Sequence, residues 1–213
     1  TDRLEALASE LADAPGRIVP ITADVTRSDE VDAAVAAAVG VFGGLDALVN
    51  NAGMEIMGSI EELSEESLET MLRTNVIGPF LCTRASLPHL KERGGSIVNL
   101  GSTVVPRAPR NRFGYVGTKG AVDAMSQALA GDLGHHRIRV NVVRPGAIPS
   151  ELRGLTEEQE TETLGNRILP LQALPDLGHG TDVASVVAFL ISDEARWITG
   201  TLINVDGGHA LGG

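Results

Sequence analysis

Short, unbroken apolar runs alternate along the chain with longer segments of helical period, and this alternation restricts the fold most. Residues 17–22 (RIVPIT), 45–49 (LDALV), 96–100 (SIVNL), 138–143 (IRVNVV) and 201–205 (TLINV) read as strands. They lack the in–out alternation of a sheet with one wet face, so they predict strands covered on both faces. Between them, residues 2–11, 28–42, 64–91, 113–134 and 181–192 predict helices, and 151–165 predicts a short one. Residues 2–11 carry Leu4, Leu7, Ala8 and Leu11 on one face; Ser28 and Ser64 stand where N-caps are expected, and Pro88 is expected to kink or end its helix early. Repeated strand–helix–strand order with short connections implies a doubly wound parallel α/β sheet with right-handed crossovers. With 213 residues, no linker and no internal repeat, the whole of 1–213 is expected to be one Rossmann-like domain.

Composition removes several classes of function. The net charge of −11 repels phosphate backbones, so no nucleic-acid partner is expected. No stretch is long and apolar enough for a membrane helix, and the opening residues, Thr1 to Glu5, do not read as a signal peptide. A cytoplasmic protein is the expectation. The single cysteine, Cys82, cannot form an intrachain disulfide, and the five histidines show no metal-ligand spacing, so no metal is expected. Aromatics are only 3% of the chain, with one tyrosine, Tyr115, and one tryptophan, Trp197. Aliphatic residues must therefore fill the core.

In an open parallel sheet, ligands bind beyond the carboxyl ends of the strands. The residues just past each apolar run are therefore candidates: Asp24, the run Asn50 to Gly53, Gly101 and Ser102, and Pro145 and Gly146. Tyr115 and Lys119 stand four apart near the start of a helix and share one face. A nearby ammonium favours the phenolate, which makes such a tyrosine a candidate general acid–base; an ordinary surface contact is the alternative. Ser102 could hold a substrate oxygen, or serve a local turn. Asn75 and Gly78, two poor helix formers within one turn, predict a local distortion or a polar contact. Asp24 could accept a hydrogen bond from an adenine amine, or form the turn suggested by Asp24-Val25-Thr26. No Gly-x-Ser-x-Gly elbow and no phosphate-binding P-loop is present, which disfavours an acyl hydrolase built on Ser102.

Taken together, Asp24 in ADVT, the NNAG turn, Asn75 in NVIG, Ser102, the Tyr115-x-x-x-Lys119 pair, Pro145-Gly146 and the closing VDGG resemble the short-chain dehydrogenase/reductase family, classical type. The resemblance implies hydride transfer between NAD or NADP and a carbonyl or secondary-alcohol substrate, a small molecule. It implies that Tyr115 moves the proton, Lys119 bonds the nicotinamide ribose, Ser102 holds the substrate oxygen and Asn75 anchors a relay water. Asn51, Ala52 and Gly53 would line the cofactor, Asp24 would touch the adenine, and the Ile148 backbone would meet the carboxamide. Ser150 stands where the family commonly has threonine, and 151–169 would form a substrate lid. Pairing of the two long helices across a two-fold axis would give a homo-oligomer, dimer or tetramer. The family's N-terminal glycine-rich βαβ segment, roughly 40 residues long, is not among these 213 residues. In the family's sheet order its strands lie between the run at 17–22 and that at 45–49, so those two runs are expected either to pair directly or to sit displaced. Without the pyrophosphate cradle these 213 residues are expected to bind dinucleotide weakly. The alternative function is a binding or pseudo-enzyme module.

Overall fold

The computed structural model describes residues 2–149 and 156–211. Four parallel strands, β1 (Ala47–Asn50), β2 (Gly95–Leu100), β3 (Ile138–Pro145) and β4 (Leu202–Val205), lie side by side in the order β1-β2-β3-β4. The register pairs Asn50 with Asn99, Leu100 with Val143, and Val143 with Ile203. The helices are α1 (Asp2–Glu10), α2 (Ser28–Phe42), α3 (Glu65–Leu72), α4 (Gly78–Arg93), the short α5 (Val104–Arg107), α6 (Phe113–Leu133), α7 (Glu157–Arg167) and α8 (Gly180–Ile191).

Both faces of the sheet are covered, as the continuous apolar runs require. On one face Ile97, Ile138 and Val140 pack with Leu90 of α4 and Ala130 and Leu133 of α6. On the other, Val98, Leu100 and Val143 pack with Val183 and Leu190 of α8 and with Ala195. Adjacent residues of β2 thus serve opposite cores, which follows from the two-residue period of a strand. Several polar side chains inside this core are paired with one another. Asn50 Nδ2 donates to Asn99 Oδ1 at 2.7 Å, and Asn99 Nδ2 donates to Ser126 Oγ at 2.8 Å. Asn141 ties the start of β4 to β3, donating to Ile198 O and accepting from Thr201 N.

Three details differ from the sequence reading, and one capping residue agrees with it. Residues 17–22 form no strand: the run is rich in β-formers, but no described strand lies against it, and strand formation depends on a partner more than on composition. Ser28 is the first residue of α2 rather than its cap; Arg27 holds that position and forms ion pairs with Asp29 and Glu30. Ser64 does cap α3, accepting from Ser67 N at 3.1 Å. Pro88 neither ends nor shortens α4, which runs on to Arg93. The carbonyl that Pro88 leaves without a donor belongs to Arg84, on the exposed side of the helix where water can serve it.

The distortion expected near Asn75 takes a definite form. Between α3 and α4 the backbone makes a π-helical turn, Arg73–Ile77, in which Gly78 N–H donates to Arg73 O. The turn accommodates one residue more than an α-helix would.

Candidate active site

The carboxyl ends of β1, β2 and β3 and the first turns of α6 enclose a cavity of about 490 Å³. Asn51 and Gly53 reach it from β1, Ser102 from β2, Pro145, Gly146 and Ile148 from β3, and Tyr115 and Lys119 from α6. With Gly101, nine of the residues singled out in the sequence therefore share one wall system, though they span almost a hundred positions. Ala52 lies within the same turn but is not in the cavity lining. Asp24 is elsewhere: its carboxylate accepts from Thr26 N–H at 2.8 Å, which forms the turn the sequence allowed, and that bond holds its pKa below the usual carboxylate range. Ser150 and the first part of the lid, 151–155, lie outside the described residues.

Tyr115 and Lys119 are both buried, at 8% and 5% exposure. The helical spacing sets the Lys119 ammonium 5.8 Å from the centre of the Tyr115 ring. Lys119 Nζ donates to Leu100 O, at the end of β2, at 2.7 Å. Burial pushes its pKa down to about 8, against the pull of the Asp123 carboxylate one turn further along α6. Asp123 is itself held by Arg144 of β3, whose Nη2 and Nε lie 2.7 and 3.1 Å from one carboxylate oxygen. An ammonium has three N–H groups, and the contact with Leu100 takes one of Lys119's.

Ser102 Oγ accepts from Val104 N–H at 3.3 Å, which leaves its own hydroxyl proton to donate. Asn75 sits beneath the cavity floor at 1% exposure. Its amide accepts from Met54 N–H at 2.9 Å and donates to Met54 O at 2.8 Å and to Thr118 Oγ1 at 3.0 Å. These bonds fix the segment after the NNAG turn to the π turn and to α6. Gly53 is where the motifs meet: a methyl group on it would stand 3.4 Å from Asn75 Oδ1 and 3.5 Å from Lys119 Nζ. At Gly146 there is no such room, since an added methyl would lie 2.7 Å from Asp206 Cα.

The cavity also contains polar residues that the sequence reading did not select. Glu55 and Arg112 form an ion pair at 3.2 Å, with the Glu55 side chain 6% exposed. Arg107, at the end of α5, donates to the backbone carbonyl of His209. His209 is buried, and burial foremost, then the Arg107 guanidinium, holds its imidazole below the usual histidine range. Arg112 immediately precedes α6 and stands three residues before Tyr115, a closeness in sequence that could have marked it. Arg107 and His209 are 102 residues apart, and no local pattern links them.

The family model described as enoyl-(acyl carrier protein) reductase matches residues 1–210. An uncharacterized oxidoreductase of Methylorubrum extorquens is 40% identical over 208 residues, 96% of this chain and 82% of that protein. A 3-oxoacyl-[acyl-carrier-protein] reductase of Staphylococcus aureus is 35% identical over 208 residues, 97% and 83% of the two chains. Among solved structures, a short-chain dehydrogenase/reductase from Serratia marcescens superposes with a TM-score of 0.89 at 34% identity, covering 99% of this chain and 84% of that one. The 3-ketoacyl-(acyl-carrier-protein) reductase of Brucella melitensis, complexed with NADH, gives 0.85 at 34% identity, with 97% and 83% covered.

Proposed function

Because the chain belongs to the short-chain dehydrogenase/reductase family, classical type, and is thereby an NAD(P)-dependent oxidoreductase of carbonyl or secondary-alcohol substrates, we propose that Tyr115 is its general acid–base. The observation that carries this reading is the convergence of Ser102, Tyr115 and Lys119 on one cavity at the carboxyl edge of the sheet. The residues present fit the cofactor: Lys119 has N–H groups to offer ribose hydroxyls, and Gly53 lets the backbone approach closely. Bound NAD(P) supplies or accepts the hydride. In this reading Asn51, Ala52, Gly53, Pro145, Gly146, Ile148 and Ser150 line the cofactor, and Asp24 serves its adenine end.

In the reduction direction Ser102 Oγ–H donates to the substrate carbonyl oxygen, holding it beside the tyrosine. The Tyr115 hydroxyl delivers its proton to that oxygen as negative charge develops there. The Lys119 ammonium stabilises the phenolate that remains. Asn75 anchors the water that returns a proton. Its amide is committed to Met54 and Thr118, so the main chain of the π turn makes that contact; such a turn leaves a carbonyl without its usual partner. Tyr115→Phe removes only the hydroxyl and should lower kcat by about 10²–10⁴-fold while the circular dichroism and Tm stay those of the parent. Activity kept within a few-fold would refute the assignment.

We further read the protein as a homo-oligomer paired through α4 and α6. Between these helices lies an apolar groove of about 350 Å³ that includes the exposed Phe80 and Met125. A methyl group added at Gly117, Gly120 or Gly131 of α6 would meet nothing within 4 Å, so a second helix could approach there. Sedimentation showing monomer alone at micromolar concentration would overturn this. Among the described residues no helix is long and apolar enough to cross a membrane, and the reading places the enzyme in the cytoplasm.

A further inference from the structure

Arg107 and Arg112 both line the cavity, but Glu55 balances only Arg112. Among the described residues Arg107 has no carboxylate partner; one of its five N–H groups goes to the His209 carbonyl. The His209 side chain is 6% exposed and lines the same cavity, and both its ring nitrogens are without a hydrogen-bond partner. A buried imidazole with no partner on either nitrogen is uncommon unless a ligand completes it. Proton transfer at Tyr115 uses neither Arg107 nor His209. The segment joining the two arginines is held in an unusual shape, with Ala108 and Asn111 at φ values of 44° and 60°. Side-chain-bearing residues adopt that left-handed region rarely, and keep it where surrounding structure imposes it. Most of the remaining wall is apolar: Pro109, Ile148, Leu164, Ile168 and Val183.

We propose that the substrate carries one carboxylate remote from its reacting carbonyl, bound between the Arg107 guanidinium and the His209 imidazole, with an apolar stem along the wall. This inference rests on the catalytic reading of Tyr115. A guanidinium accepts a carboxylate in a two-point fork. Neither ring nitrogen of His209 has a hydrogen-bond partner, so the imidazole has an N–H to give the carboxylate whichever nitrogen carries the proton. One unbalanced cation suits a monoanion. A phosphate dianion would bring a charge that this wall does not balance, to a chain of net charge −11.

The test compares 3-oxobutanoate, 4-oxopentanoate and 5-oxohexanoate with their methyl esters, using NAD(P)H at pH 7. At least one acid should exceed its ester by about 10–100-fold in kcat/KM, the discrimination expected of hydrogen bonds to a charged group. The difference should lie in KM, since the contact is remote from the chemistry. Arg107→Met should bring acid and ester to parity, and Arg107→Lys should restore part of the preference. Equal rates for acids and esters in the parent, or a preference that survives Arg107→Met, overturn this inference and leave the catalytic reading standing. Failure of a form of the protein that binds NAD(P)H to reduce any acid, any ester or a simple neutral aldehyde overturns both.

Discussion

Replacing Lys119 by methionine isolates what it takes to keep an ammonium inside this fold. Burial lowers the Lys119 pKa from its ordinary 10.5 to about 8. Each tenfold change in proton affinity is worth about 1.4 kcal/mol, so the charged side chain opposes folding by about 3 kcal/mol at neutral pH. The sign follows from proton counting. Between pH 8 and 10.5 the unfolded chain holds a proton that the folded chain has released, so stability rises with pH through that window. Below pH 8 the full penalty is present; above 10.5 it is gone. Methionine has the bulk of the lysine stem and no proton to lose. The stability of the parent relative to Lys119→Met should therefore increase by about 3 kcal/mol from pH 6.5 to 10.5. At pH 6.5 the variant is the more stable protein only so far as the lifted penalty exceeds the loss of the bond to Leu100 O, about 1–3 kcal/mol for a buried carbonyl left unpaired. The assay is urea unfolding followed by circular dichroism, with both proteins carrying Tyr115→Phe so that the sole phenol does not titrate. Lys91, the only other lysine, and Cys82 cancel in the difference. A difference that stays flat within about 1 kcal/mol across the range would refute a buried, charged Lys119.

Two further outcomes follow from the contacts. Asn75→Ala removes the partners of Met54 N–H, Met54 O and Thr118 Oγ1 in a buried place, and should lower the unfolding free energy by about 2–4 kcal/mol, measured by the same urea titration; a loss below about 0.5 kcal/mol would mean the turn does not depend on it. Gly146→Ala drives a methyl group to 2.7 Å from Asp206 Cα, where backbone rather than a movable side chain stands, and should lower stability by about 1–3 kcal/mol; an unchanged Tm would show that the strand ends part freely.

Much of the sheet and of the cluster lining the cavity was legible in the sequence because both depend on short-range pattern. The strands β1 to β4 are apolar runs bounded by turn residues, and each has a neighbour that turns propensity into pairing. Residues 17–22 have similar composition and no described strand beside them, and the strand expected there does not form. Tyr115 and Lys119 were readable from helical spacing, and Ser102 and the NNAG turn from their place at strand ends. The start of α7 was written in Thr156 and Gln159, which form a capping box and fit the short helix expected in the lid. The Arg107–His209 contact was not readable, because it joins residues 102 positions apart through a carbonyl that any residue possesses. The Glu55–Arg112 pair was hidden for a related reason: a buried ion pair and a solvated one have the same letters.

The π turn at Arg73–Ile77 also constrains how the gene can vary. It acts as slack: the widened turn holds one residue more than the α-period, so α3 and α4 stay in phase across it. Deleting a single residue there would let the turn close to the α-period while both helices keep the faces they now bury, Met71 at 0% exposure among them. A single-residue deletion inside α4 has no such slack and would swing the helix on one side of it by about 100°. Single-residue deletions should therefore be purged within α4 more strictly than between 73 and 77 among functional descendants of this chain. Length changes at the exposed residues Ile60 to Glu62, which end before α3 begins, face no such periodic constraint.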